Sequence, residues 1–147
     1  MKNLFLSFVL FAASIFSTEL LAHCQVPCGV YGDQNRFEQM LEDQTTIEKA
    51  GKLIAELTGK KDALSHNQLA RWVSTKESHA TAIQNTIADY FMAQRIKASD
   101  KKYTEKLSKA HAVMVAAMKC KQTIDLKTAT ALKDSILSFQ KAYEGKK

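Results

Sequence analysis

Residues 37–57, FEQMLEDQTTIEKAGKLIAEL, show the pattern that decides the fold of this chain. Their apolar side chains recur at steps of three and four residues, the spacing that predicts one buried face on an α-helix. That predicted face consists of Phe37, Met40, Leu41, Ile47, Ala50, Leu53, Ile54 and Leu57. Asp33 is predicted as the N-cap of this helix, and Gly59 as the residue that stops it.

The same spacing recurs three more times along the chain. A second helix is predicted to be capped at Ser65 and to break at Ser99 and Asp100. Its expected buried residues are Leu69, Trp72, Val73, Ala80, Ile83, Ile87, Tyr90 and Phe91. The expected buried residues of a third helix are Tyr103, Leu107, Ala110, Met114, Ala117 and Met118. A fourth helix is predicted to begin near residues 123–125, and its expected buried residues are Leu126, Ala129, Leu132, Ile136, Phe139 and Tyr143. Four amphipathic helices with short connections predict an all-α fold, a four-helix bundle domain at residues 32–147.

The composition of the 147-residue chain is that of a globular domain, with 46% hydrophobic and 24% charged residues. Its formal net charge of +6 favours anionic small molecules or acidic partners. Nucleic acid is not an expected partner, because the lysines are dispersed and no basic run is interleaved with aromatic residues. The charged pairs Glu42-Asp43 and Lys60-Lys61 are predicted to lie on solvated faces.

The first 22 residues have the plan of a secretory signal peptide. Lys2 precedes an apolar run at residues 4–16, and polar residues follow. The run is shorter than the roughly 20 apolar residues that a membrane-spanning helix needs. Cleavage is therefore expected after Ala22, giving a periplasmic or extracellular protein with no membrane contact after signal removal. The alternative is a leader retained as a membrane anchor.

Residues 23–31, HCQVPCGVY, hold two of the three cysteines and the one proline of the chain. Removal of residues 1–22 would leave His23 with a free α-amine. That amine, the His23 imidazole, the Cys24 amide nitrogen and the Cys24 and Cys28 thiolates then lie close together along the chain. Pro27 and Gly29 favour a turn that brings these donors together.

This donor set favours particular metals. Two nitrogens and two sulfurs in a plane, with an axial imidazole, suit nickel(II) or copper(II), whereas zinc prefers a tetrahedron of side-chain ligands. Thiolates and an amidate also stabilise a higher oxidation state. The segment is therefore compatible with one-electron chemistry that needs no organic cofactor.

The segment resembles the nickel hook of nickel-dependent superoxide dismutase. In that family the mature chain begins with His-Cys, continues through two residues to Pro-Cys-Gly and then reaches Tyr, as residues 23–31 do here. The family is also a four-helix bundle behind a short hook, and it assembles as a homohexamer. The resemblance implies conversion of superoxide to oxygen and hydrogen peroxide, with one nickel ion per subunit cycling between Ni(II) and Ni(III).

The resemblance also implies a role for each hook residue. His23 would supply its amine and an axial imidazole, Cys24 its amide nitrogen and thiolate, and Cys28 the second thiolate. Tyr31 would stand near the open axial face and restrict access. Pro27 and Gly29 would shape the hook.

A further implied residue lies beyond the hook. The sequence RFE at residues 36–38 resembles the family's basic-apolar-glutamate stretch, one residue closer to the hook, and it implies that Glu38 holds the His23 imidazole. The family also uses an arginine from a neighbouring subunit near that glutamate. His79 lies near the matching position and Arg71 two turns earlier, and neither is assigned this role.

Two other interpretations of residues 23–31 remain open at this stage. A Cys24–Cys28 disulfide is the ordinary fate of two nearby cysteines in an exported protein. A periplasmic carrier or sensor would bind nickel or copper through the same donors without turnover. Elsewhere, Cys120 is expected to be a half-buried structural thiol. His66 and His111 are expected to be surface residues or hydrogen-bonded residues of the partial core, rather than metal ligands.

Overall fold

The computed structural model describes residues 32–145, which form four helices packed as an antiparallel bundle. The helices are α1 at Asp33–Leu57, α2 at Ala63–Asn85, α3 at Tyr103–Gln122 and α4 at Leu126–Glu144. A π-helix at Thr86–Arg95, the π segment, continues α2 without a break. The described residues contain no strand, so the predicted all-α four-helix bundle is confirmed.

The helices form a square in which each packs mainly against two others. α1 lies beside α2 and α4, and α3 completes the square against the same two helices. The start of α1 therefore meets the ends of the π segment and of α4, and this is the proximal end of the bundle. The distal end holds the connections at residues 58–62 and 123–125. A bond from Gln44 Nε2 to the Ala129 carbonyl, 3.0 Å long, joins α1 to α4 between the two ends.

An aromatic cluster fills the core at the proximal end. The Phe91 ring centroid lies 4.8 Å from that of Phe37, 5.0 Å from that of Phe139 and 5.2 Å from that of Tyr143. All three pairs of rings meet at tilted or edge-on angles, the arrangements that aromatic quadrupoles favour. Residues of α1, the π segment and α4 are thereby packed into one rigid cluster.

The helix ends differ from the predictions at three places. The helix predicted to break at Ser99 and Asp100 already ends at Arg95, with the π segment. Asp62, rather than Ser65, caps α2: its carboxylate accepts bonds from the Ser65 amide at 2.8 Å and the Ser65 hydroxyl at 2.6 Å. Asp33 is the first residue of α1 and not its cap, which is Gly32. Gly59 does follow the end of α1, with the positive φ of +90° that a glycine allows, and α4 starts after a capping Asp125.

Three of the predicted core residues are exposed, namely Val73, Met118 and Leu126. Val73 and Met118 lie off the buried stripes of their helices, since a step of one residue turns the chain by about 100°. Leu126 has the right spacing but occupies the first turn of α4, at the edge of the distal end. The fully buried predictions, including Phe37, Ile83 and Leu132, are confirmed.

Lys76 is a buried lysine in the distal half of the bundle, 4% exposed. Its ammonium donates to the Cys120 carbonyl at 2.6 Å and to the Lys121 carbonyl at 2.8 Å. These are two of the carbonyls that the last turn of a helix leaves without an intrahelical donor. Lys76 of α2 thus closes the C-terminal end of α3.

Lys76→Met is expected to lower the free energy of unfolding by about 1–3 kcal/mol, because the buried carbonyls of Cys120 and Lys121 would lose their donor. Urea unfolding followed by far-ultraviolet circular dichroism measures this. Lys52→Met is the matched control, since Lys52 is exposed and forms an ion pair with Glu48 one turn away on the same helix. The control should change the free energy by less than about 0.5 kcal/mol. Equal effects of the two substitutions would contradict the capping role of Lys76.

Candidate metal centre

The predicted metal ligands lie outside the described residues. His23, Cys24 and Cys28, together with Pro27, Gly29 and Tyr31, precede Gly32, where the described structure begins. Their roles therefore stay predictions. The structure describes the part of the bundle to which the hook is joined.

The hook joins the bundle at the proximal end. Gly32 is exposed, and its carbonyl accepts a 3.1 Å bond from the Asn35 amide, so α1 starts immediately after it. Asp33 is separated from Tyr31 by this single glycine. The contacts of Asp33 consequently fix the start of α1, to which residues 23–31 are joined through Gly32.

Three side chains converge on the Asp33 carboxylate. Tyr90 donates its hydroxyl to Oδ1 at 2.6 Å, and Tyr143 donates its hydroxyl to Oδ2 at 2.8 Å. The Arg95 guanidinium donates to Oδ2 at 2.9 Å and forms an ion pair with the carboxylate. Asp33, Tyr90, Arg95 and Tyr143 together constitute the Asp33 cluster, which joins α1, the π segment and α4.

The π segment brings two of these donors to Asp33. The Ile96 amide bonds to the Phe91 carbonyl at 2.8 Å, five residues back, and the Gln94 side chain donates to the Asp89 carbonyl at 2.8 Å. A π-helix has a wider turn than an α-helix, so the residues that follow it are rotated relative to a continuous α-helix. Tyr90 and Phe91 are both buried here, although they are consecutive. Sequence periodicity had predicted both as core residues, but nothing in it indicated a π-helix.

The electrostatics of the Asp33 cluster favour one protonation state. Burial alone would raise the pKa of Asp33, but the hydrogen bonds from Arg95, Tyr90 and Tyr143 outweigh it and lower that pKa. Burial and the adjacent Asp33 carboxylate raise the pKa of Tyr143 to about 12, and the same two causes raise the pKa of Tyr90. At neutral pH the cluster is therefore an ionised carboxylate held by two protonated phenols and a guanidinium.

Glu38 is the one predicted site residue within the described part of the chain. It lies exposed on α1, one turn after Gln34, whose Nε2 donates to Glu38 Oε1 at 2.9 Å. Gln140 of α4 donates in turn to Gln34 Oε1 at 3.0 Å. Glu38 thus faces solvent in the second turn of α1, and its proposed contact with His23 lies beyond the described residues.

Asp43 was predicted to be solvated, and this prediction is wrong. It is 4% exposed, and its Oδ1 lies 2.6 Å from Nδ1 of His79 on α2. Its Oδ2 is also buried and has no hydrogen-bond partner within residues 32–145. Burial raises the pKa of Asp43 even though His79 acts in the opposite direction. A run of two acidic residues carries no sign of burial, so sequence reasoning missed this pair.

The remaining candidates have structural or surface positions. Cys120 is 1% exposed and so is fully buried rather than half-buried as predicted; burial raises the pKa of its thiol, which fits a structural cysteine. His66 and His111 are exposed, as predicted. Within residues 32–145 no group of three or more His, Cys, Asp or Glu side chains is arranged to hold a metal ion. Over the same range, no helix is long and apolar enough to cross a bilayer.

Comparison with known protein families gives one match. A family model described as nickel-containing superoxide dismutase matches residues 18–147, which include the hook and all four helices. Comparison with curated proteins and with solved structures gave no match.

Proposed function

The chain belongs to the nickel-containing superoxide dismutase family, and we propose that His23, Cys24 and Cys28 are the ligands of its nickel ion. The protein is an oxidoreductase with a nickel cofactor that converts superoxide to oxygen and hydrogen peroxide. The observation that carries the ligand proposal is the donor set of residues 23–28, which the family match includes.

The chemistry of these donors fits nickel. An amine, an amidate, two thiolates and an imidazole form the tetragonal N and S set that nickel(II) favours. When bound, nickel supplies a one-electron couple between the +2 and +3 states. His23 can contribute its amine only as the first residue of the chain, and Cys24 contributes through both its backbone nitrogen and its side chain. A carrier or sensor would use the same donors, but the family match favours the enzyme.

The other hook residues have supporting roles in this proposal. Tyr31 would restrict access to the nickel ion, and Pro27 and Gly29 would shape the turn. Glu38 holds the His23 imidazole, and its exposed position in the second turn of α1 leaves its carboxylate accessible for that contact. Such a carboxylate partner orients a histidine ligand and raises its basicity.

The charge of the chain supports an anionic substrate. Superoxide is a small anion, and the formal net charge of +6 gives a positive potential that raises its encounter rate. Nucleic acid remains an unexpected partner, since the basic residues form no run or stripe along the chain.

The proposed location is the periplasm or the outside of the cell. Residues 1–22 would act as the signal peptide, residues 23–31 as the hook and residues 32–147 as the bundle domain. Cleavage after Ala22 would release the protein from the membrane and expose the His23 amine in one step. Superoxide crosses membranes poorly because it is charged, so an exported enzyme would protect its own compartment.

The proposed assembly is a homohexamer, as the family resemblance implies. The surface of one chain supports subunit contacts, since a groove between α3 and α4 is lined by the small apolar side chains of Ala112, Val115, Ala116 and Ala131. Large apolar residues are also exposed elsewhere, including Leu64 and Leu137. Apolar surface of this kind is commonly covered by another subunit.

A native mass spectrum of the protein purified from its host tests this proposal. We expect a chain that starts at His23, carries one nickel ion and assembles as six subunits. A metal-free chain lighter by two hydrogens, with Cys24 joined to Cys28, would instead establish the disulfide and overturn the ligand assignment. A nickel-bearing chain with a different subunit count would overturn the hexamer alone.

A further inference from the structure

We propose that Asp33 is a positioning residue for the nickel site, because the Asp33 cluster fixes the start of α1, to which residues 23–31 are joined through Gly32. This inference rests on the proposed function of residues 23–31. It concerns a carboxylate outside the set of ligands and hook residues already assigned.

The contacts of Asp33 exceed what the helix start requires. A side chain at a helix N-terminus ordinarily stabilises it by accepting bonds from free backbone amides. The Asp33 carboxylate instead accepts from three side chains, those of Tyr90, Arg95 and Tyr143. Among residues 32–145 no side chain caps the start of α1, so these contacts hold α1 against the π segment and α4 rather than completing the helix.

The three donors are themselves held firmly. The Tyr143 ring packs 5.2 Å from that of Phe91, and the Tyr90 ring lies edge-on to Phe91 at 5.1 Å. The Arg95 guanidinium lies 5.9 Å from the centre of the Tyr90 ring. An ionised carboxylate accepting charge-assisted bonds from such fixed partners has little freedom to move.

Rigid attachment matters more for this site than for most metal centres. The proposed ligands lie within six consecutive residues, so one short segment carries them all. A metal site works only when its ligands are held near the productive geometry by the surrounding shell. Because Gly32 alone separates Tyr31 from Asp33, the Asp33 cluster is the first set of side-chain contacts that the described structure holds after residues 23–31.

The test compares Asp33→Ala with Asp62→Ala in the nickel-loaded enzyme that starts at His23. Both substitutions remove an aspartate that bonds at the start of a helix, but Asp62 lies at the distal end. The first readout is the rate at which nickel is lost to excess EDTA. The second is the electron paramagnetic resonance spectrum of the oxidised nickel, which reports ligand geometry independently of activity.

Asp33→Ala should release nickel about 10–100-fold faster than the parent enzyme and should broaden the resonance, as loss of an outer-shell partner does. Asp62→Ala should keep the parent rate and spectrum while losing thermal stability. Tyr143→Phe removes one donor without changing charge, and it should shift both readouts in the same direction by a smaller amount. If Asp33→Ala does not fold, the two single variants Tyr143→Phe and Asp33→Asn take its place in the comparison.

Two results would overturn the inference. One is an unchanged release rate and spectrum in folded Asp33 variants. The other is equal acceleration in Asp62→Ala, which would mean that nickel is lost through general loss of stability. Failure of the proposed function is distinguishable from both, because the unsubstituted protein itself would then bind no nickel.

Discussion

Adding one methionine before His23 is expected to lower superoxide dismutase activity by more than about 100-fold, because changes beyond the ligands of a metal site already cost about 10–100-fold. The additional residue converts the His23 amine into a peptide amide and so removes one nickel ligand. The helices should remain folded, since the described core begins at Phe37. Stopped-flow measurement of superoxide decay gives the activity, and elemental analysis gives the nickel content.

The matched control carries an N-terminal extension that a protease removes immediately before His23. Cleavage should restore both nickel and activity to this protein, while the methionine variant stays inactive. Circular dichroism should show the same helical content in both. Full activity in the uncleaved protein would exclude the amine as a ligand.

Replacement of either hook cysteine is expected to have an effect of similar size. Cys24→Ser and Cys28→Ser each exchange a thiolate for a hydroxyl, which is a far weaker donor to nickel and is not deprotonated at neutral pH. Each variant should no longer bind one nickel ion per subunit. Its activity should fall by more than about 100-fold, because even changes around the ligands of a metal site cost about 10–100-fold. The measurements are those used for the extended chain.

Cys120→Ala is the control for the cysteine variants. The Cys120 thiol is buried between helices and has a raised pKa, so its removal should lower stability without affecting nickel. A serine variant at position 24 or 28 that keeps both nickel and activity would contradict the ligand assignment. So would an active, nickel-bearing enzyme in which these two cysteines form a disulfide.

The bundle was predictable because each helix that buries one face has apolar residues at steps of three and four along the sequence. The buried faces around Phe37, Ile83 and Phe139 follow directly from apolar spacing. Apolar spacing does not show, however, whether the first or last turn of a helix is covered by other helices. Leu126 was therefore predicted to be buried, although it is exposed in the first turn of α4. Nor does apolar spacing distinguish between nearby capping residues such as Asp62 and Ser65.

Buried charge was harder to predict than the apolar core. Asp43 and Lys76 both lie on buried faces, and each bonds to a partner on another helix, Asp43 through its Oδ1 alone. Their partners, His79 and the Cys120 carbonyl, are distant in sequence. Only the folded arrangement of the helices brings them together, so a single sequence carries no local signal for these pairs.

The same distinction applies to the candidate site. The hook could be proposed from sequence because its candidate donors are nearly consecutive along the chain. The Asp33 cluster could not, since it joins positions 33, 90, 95 and 143 and depends on the π segment. Donors that are adjacent in sequence could therefore be proposed from the sequence, whereas a cluster assembled from three separate helical segments could not.

The antiparallel square of helices has a practical consequence for handling this protein. The start of α1 and the end of α4 lie side by side, as the bond between Asp33 and Tyr143 shows. An affinity tag at the N-terminus would block the amine, and one at the C-terminus would extend from the same end of the bundle as the hook. The connection at residues 58–62, exposed at the opposite end, is the suitable place for a tag, a fluorophore or a surface linkage.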